Sequence, residues 1–133
     1  MLKLLYRYRK ILVYAPLIIH WVSIFILTSL PSNSVPHFAL NDKIKHFTAY
    51  FVLSIFLALT LKFQSKFKKI QKEFVKFAVI ISVTYSTFDE LHQIFIPGRD
   101  AEILDWLANL LGLMLGLFIV KRFLNKSESF ELK

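Results

Sequence analysis

Residues 11–30 read ILVYAPLIIHWVSIFILTSL, twenty positions without one Asp, Glu, Lys or Arg. Coiled as an α-helix at about 1.5 Å per residue, such a stretch matches the roughly 30 Å hydrocarbon core of a bilayer. Moving outward along the chain, Ile44–Phe63 and Ile103–Val120 are nearly as poor in charge, and Phe74–Phe95 runs apolar until it meets Asp89-Glu90. Four such blocks leave only short connections and two tails of the 133 residues. They are too many to bury as core helices of so small a soluble protein. Backbone groups in lipid must be satisfied within the segment, which requires helices, and no period-two alternation suggests a barrel. The expected architecture is all-α, an integral membrane four-helix bundle forming one domain over residues 1–133.

Composition agrees. The chain is 56% apolar and 20% charged, against about 45–50% and about 25% for ordinary soluble domains. Its mean hydropathy is +0.53. There is no cysteine, hence no disulfide, thiol nucleophile or thiolate metal site. The first block has a basic start, but its apolar run exceeds a signal-peptide core, and Thr28-Ser29-Leu30-Pro31 is a poor cleavage site. It is expected to remain as a span.

Basic residues set the orientation. The N-terminal tail, the second connection and the C-terminal tail hold fourteen Lys and Arg, including Lys62, Lys66, Lys68, Lys69, Lys72 and Lys76. The first and third connections hold three: Lys43, Lys45 and Arg99. Both termini are therefore expected in the cytoplasm of a multi-pass protein of the cell membrane. The net charge of +8 reads as a topology signal, and nucleic acid is not an expected partner, because no basic patch stands apart from the span flanks. Six acids, Asp42, Asp89, Glu90, Asp100, Glu102 and Asp105, fall at or near the outer face with His20, His37, His46 and His92.

That segregation points to a polar site opening outward. Asp42, His46 and Tyr50 recur at i, i+4 and i+8 and stack on one helix face. Asn41 or Asp42 suits an N-cap there. Asp89 and Glu90 lie one to two turns inside the outer surface, where an ionised carboxylate costs about 2.5–3.5 kcal/mol or more and normally faces a bundle interior. Asp89 shares a face with His92 and Gln93, while Glu90 points about 100° away. Pro97-Gly98 makes a turn, and Arg99 after it is placed to fold back onto Asp89, Glu90 or Asp105 as an ion pair or an anion clamp. In the last block Asp105 and Asn109 stack. Ala108, Gly112 and Gly116 form a small-x-x-x-small stripe that admits another helix closely. Trp21 and Trp106 suit an interface or packing role. Asp89-x-x-His92 has the spacing of carboxylate–histidine ligand pairs in bundles, with His46 needed from another helix. One such pair argues for a hydrogen-bonded polar core, and no metal or other cofactor is expected.

Three stretches together resemble the VanZ-like family of small bacterial membrane proteins. They are Asp42-Lys43-x-x-His46-Phe47-x-x-Tyr50-Phe51-x-Leu53, then Asp89-Glu90-x-x-Gln93-x-Phe95-x-Pro97-Gly98-Arg99, then Asp105-x-x-x-Asn109-x-x-Gly112-x-x-x-Gly116. Their order and spacing on the spans agree over roughly residues 12–120. The resemblance implies an envelope setting. By analogy it also implies lowered susceptibility to glycopeptide antibiotics of the teicoplanin type. The leading expectation is a binding protein whose outward site, Asp42, Lys43, His46, Tyr50, Asp89, Glu90, Gln93, Arg99, Asp105 and Asn109, engages an anionic lipid headgroup, a lipid-linked wall precursor or a membrane partner. The alternatives are a membrane enzyme acting on such a precursor, with His46 or His92 as base, and an ion or proton path. No activated serine nucleophile is marked, and no catalytic residue is assigned.

Overall fold

The computed structural model describes residues 2–34 and 41–131, with residues 128–131 by backbone alone. The described residues form helices and turns, with no strand. A short helix α1 (Leu2–Arg7) precedes a π-helical stretch, Lys10–Tyr14, which runs into α2 (Ala15–Ser29). Pro16 sits at the start of α2 and has no N–H to give to the turn before it. Widening of the helical ladder just ahead of a proline is the expected response. Then follow α3 (Asp42–Phe63), α4 (Lys68–Lys72), α5 (Phe74–Gln93) and α6 (Ile103–Glu131).

Three of these segments, Lys10–Ser29, Asp42–Phe63 and Ile103–Ser127, are long and apolar enough to cross a membrane. Helix α5 has the length, at 20 residues, but carries Lys76, Asp89 and Glu90 and a face of serines. The boundaries depart from the expected blocks for local reasons. Helix α3 starts at Asp42 rather than Ile44 because the Asn41 side chain caps it, accepting from Lys43 N at 2.9 Å. Helix α5 stops at Gln93, short of Phe95, because Pro97 disfavours helix at the residue before it. Helix α6 continues eleven residues beyond Val120, since the chain after it, Lys121-Arg122-Phe123-Leu124, contains no glycine or proline to end it. His37 lies outside the described residues.

Helix α3 packs along α6 and also touches α2 and α5; α5 in turn touches α2 and α6. The buried positions of α6 are Asp105, Ala108, Asn109, Gly112, Leu113, Gly116, Leu117, Val120 and Leu124, the stripe of a 3.6-residue period. Leu111, Met114, Phe118 and Ile119 cover the opposite, exposed face. Between apolar helices in lipid the hydrophobic effect is weak, so backbones must approach for packing to hold them. At Gly112 an added Cβ would collide with Phe47 O and lie 2.9 Å from Phe51 N; at Gly116 it would collide with Ser54 Oγ and lie 2.7 Å from Phe51 O. The expected small-residue stripe is therefore the contact surface for α3 within the chain.

The ends of the helices differ in chemistry. At one, Tyr6 meets Phe63 edge-on at 6.2 Å and Gln71 Nε2 donates to Lys62 O at 3.1 Å, beside the Lys-rich α4. At the other, Ser32 N donates to Pro97 O at 3.3 Å, and Gly98 adopts φ 75° where a side chain would strike Ser32. Substituting Gly112→Ala or Gly116→Ala should destabilise the fold by about 1–3 kcal/mol, the usual cost of overpacking. Met114→Ala, on the exposed face, should change little; thermal unfolding in detergent gives the comparison.

Candidate functional site

At the second end, α3, α5 and α6 bring His46, Tyr50, Asp89, Glu90, Gln93, Asp105 and Asn109 together as a buried polar layer. Each arrives through helical spacing. His46 and Tyr50 follow Asp42 down one face of α3, Asp105 and Asn109 lie one turn apart on α6, and Asp89 and Gln93 share a face of α5.

Asn109, fully buried, is the centre of the layer. Its Nδ2 donates to Ser86 Oγ at 3.1 Å and to Glu90 Oε1 at 3.2 Å, and its Oδ1 lies 3.1 Å from His46 Nδ1. Because both Nδ2 hydrogens are committed, Oδ1 is the acceptor and His46 Nδ1 is the donor. Glu90 Oε1 also stands 3.5 Å from that nitrogen. Asp89 belongs to a separate contact, receiving the Tyr50 hydroxyl on Oδ2 at 3.3 Å. The two acids thus find different partners, as their angular separation on α5 requires.

Three cations serve the layer. Lys43 pairs with Glu102 and with Asp105 Oδ1, and Lys45 Nζ lies 3.3 Å from Asp42 Oδ1. Arg99 does fold back, but not onto a carboxylate. Its Nε donates to Leu30 O at 3.0 Å, Nη2 to Leu27 O at 3.0 Å and Nη1 to Gln93 Oε1 at 3.3 Å. The expected ion pair with Asp89, Glu90 or Asp105 is absent among the described residues. The physical reason lies in α2: its last carbonyls have no partner within the helix and carry the negative end of its dipole, so they attract a guanidinium.

A cavity of about 220 Å³ opens among α2, α3 and α5. Ile24, Leu27 and Ala49 form apolar wall, and Lys45, His46, Asp89, Asp42 and Arg99 supply polar groups. A second cavity, of about 260 Å³, is bordered by Thr87, Glu90, Glu102 and Trp106, whose Nε1 donates to Thr87 Oγ1 at 3.1 Å. His92 does not join His46. Its ring stacks with those of Phe25 and Phe88, at centroid distances of 5.6 and 5.9 Å. The grouping of Asp89, His92 and His46 considered from the sequence is not formed. Instead, ligating atoms of Asp42, His46 and Asp105 lie within 4.8 Å of one another. His20 is spent on the backbone, with Nε2 2.9 Å from Ala49 O.

Sequence reading missed Ser86, Thr87 and the carbonyls of Leu27 and Leu30. Ser86 had a signal: Ala78, Ser82 and Ser86 recur every four residues and are all buried, a small-residue stripe on α5 like that on α6. The carbonyls had none, because the terminus of α2 becomes an acceptor only once the loop after α5 lies against it. Asn109→Leu should cost about 1–3 kcal/mol or more, since it leaves buried His46, Ser86 and Glu90 atoms unpaired. Tyr50→Phe removes one hydrogen bond and should cost about 0.6–2 kcal/mol. Unfolding titrations of the two variants test that order.

No curated protein and no solved structure matches the sequence. Residues 3–125, nearly the whole chain, match the family model of VanZ/LLP1. With helices able to span a membrane and the three expected motif stretches on α3, α5 and α6, the chain belongs to the VanZ/LLP1 family.

Proposed function

We propose that α2, α3, α5 and α6 cross the cell membrane as a four-helix bundle with both termini in the cytoplasm, and that the 220 Å³ cavity at its outer end binds an anionic lipid headgroup. The orientation rests on the Lys/Arg asymmetry, fourteen against three. Helix α5 is the most polar of the four, and its polar face is turned inward: Ser82, Ser86, Asp89, Glu90 and Gln93 are buried, while Ile80, Phe88 and Leu91 are exposed. A span with that arrangement hides its charges from lipid.

The cavity carries the reading of function. Its wall of Ile24, Leu27 and Ala49 suits an acyl or prenyl chain, and its polar groups include Lys45 and Arg99. A guanidinium has five N–H donors, and three of those on Arg99 are engaged by protein. The remaining two, held in place by the first three, suit a phosphate or carboxylate. A lipid-linked wall precursor has this chemistry. Occupancy of such a precursor would connect the site to glycopeptide susceptibility, the role suggested by the family. Turnover of the bound lipid is the second reading, because His46 Nε2 faces the acids at the cavity's edge.

Two measurements test these statements. In the cysteine-free chain, Ser34→Cys should react with a membrane-impermeant maleimide on intact cells, and Ser65→Cys only after permeabilisation; the reverse overturns the orientation. Native mass spectrometry of protein extracted with its own lipids should show a retained anionic lipid. That lipid should be lost in Arg99→Ala and weakened in Lys45→Gln, which leaves the Arg99 tie to α2 intact. Wild type without a specific lipid, or with one that both variants keep, overturns the headgroup site.

A further inference from the structure

We propose that Asp42, His46 and Asp105 bind a divalent cation of the Zn²⁺ or Mn²⁺ class at the edge of the cavity. The proposal stands apart from the headgroup reading and requires no lipid. It begins with the imidazole. His46 is buried, at 8% exposure, and its Nδ1 is committed as a donor to Asn109 Oδ1 at 3.1 Å. In the neutral ring the lone pair then sits on Nε2. That nitrogen makes no hydrogen bond among the described residues. It faces Asp105 Oδ2 at 3.8 Å and Asp42 Oδ2 at 3.9 Å, both beyond hydrogen-bond length.

The carboxylates are arranged to match. Each aspartate gives one oxygen to a lysine: Asp105 Oδ1 to Lys43 and Asp42 Oδ1 to Lys45. Each leaves Oδ2 turned toward His46 Nε2. Three lone-pair donors therefore face one point with no proton donor between them. A cation at that point would draw on all three. Metal–nitrogen and metal–oxygen bonds of about 2.0–2.2 Å at a tetrahedral angle separate ligand atoms by about 3.4 Å, so the two carboxylates would close on the imidazole nitrogen from 3.8 and 3.9 Å.

The surroundings have the form of a metal site's outer layer. A ligating histidine normally passes its other N–H to a carboxylate or carbonyl that fixes the ring. His46 has Asn109 Oδ1 there, with Glu90 Oε1 at 3.5 Å. Glu90 Oε2 is buried without a hydrogen bond among the described residues. Two carboxylates with one imidazole suit Mn²⁺ or Zn²⁺. Three protein ligands leave a coordination position open, and Asp42 and His46 both border the cavity. A cation there offers an electrophile to an anion in that cavity.

The test uses the full-length chain, delipidated in detergent and stripped with chelator, then titrated with Zn²⁺ alone by calorimetry and Mn²⁺ alone by electron paramagnetic resonance. One saturable equivalent is expected, with nitrogen coupling to Mn²⁺ in the pulsed experiment. Asp42→Asn should weaken binding at least tenfold, and its largely exposed side chain makes it safe for folding. His46→Ala should abolish both binding and the nitrogen coupling. His20→Ala, on α2 and engaged with the Ala49 carbonyl, should bind as wild type does. No saturable binding in wild type overturns the site, as does wild-type affinity in Asp42→Asn. Loss in His92→Ala with Asp42→Asn unaffected also overturns it, by moving the metal elsewhere. Because lipid is removed first, none of these results depends on the headgroup being bound.

Discussion

Helices in lipid gain little from hiding apolar side chains from one another, so the approach of α6 to the backbone of α3 has to come from shape. Gly112 and Gly116 provide it by letting the α3 backbone at Phe47 and Phe51 sit where a side chain would be. Everything at the polar end follows from that spacing. Asn109 is one turn before Gly112, and Asp105 one turn before Asn109, so both are carried against the α3 face bearing His46. A wider gap between the helices would open the 3.1 Å contact of His46 with Asn109 and leave an amide and an imidazole unpaired away from water. The glycines and the buried polar layer are one device: the first sets the distance, and the second has the right length only at that distance.

The layer also explains how four acids can sit near one end of an apolar chain. Asp89 takes a tyrosine hydroxyl, Glu90 an asparagine amide, and Asp42 and Asp105 a lysine each. Each of the four has a partner, which limits the cost of burying Asp89, Glu90 and Asp105. Some buried polar atoms of the described residues remain unmatched, in the layer and elsewhere on α3 and α5. Glu90 Oε2 and Gln93 Nε2 are buried without hydrogen bonds, and the facing lone pairs of His46, Asp42 and Asp105 are unbridged. Purely structural polar layers satisfy nearly all their atoms.

Much of this was legible in the chain, and the limit has a physical character. Apolar block length was enough for helices, and spacing within a helix was enough for shared faces, so the stacking of Asp42 with His46 and Tyr50, and of Asp105 with Asn109, could be read directly. The divergence of Asp89 and Glu90 followed from 100° per residue. Distances between helices are not encoded in any single period. Hence Ser86 was passed over although it receives Asn109, and His92 was weighed as a ligand although its ring stacks on Phe25 and Phe88. Sidedness relative to the membrane is written in lysine counts alone, and packing geometry adds nothing to it.

Arg99 shows why the nearest opposite charge is a poor guide to a cation's partner. Three acids stood within sequence reach, yet each finds another partner: a hydroxyl, an amide or a lysine. The carbonyls of Leu27 and Leu30 at the end of α2 have no partner within the helix, since Leu30 leaves it extended. A guanidinium satisfies two of them at once, at 3.0 Å each, and fastens the loop after α5 to the first long helix. Its planar fork makes this compatible with a second task. Donors used on Leu27, Leu30 and Gln93 fix the plane of the group, and the others are thereby aimed instead of free to rotate. A lysine in the same place could cap a carbonyl or meet an anion, but its single rotating ammonium would not hold the loop and orient the remaining donors together. The residue that ties the loop to α2 is thus also one that lines the cavity.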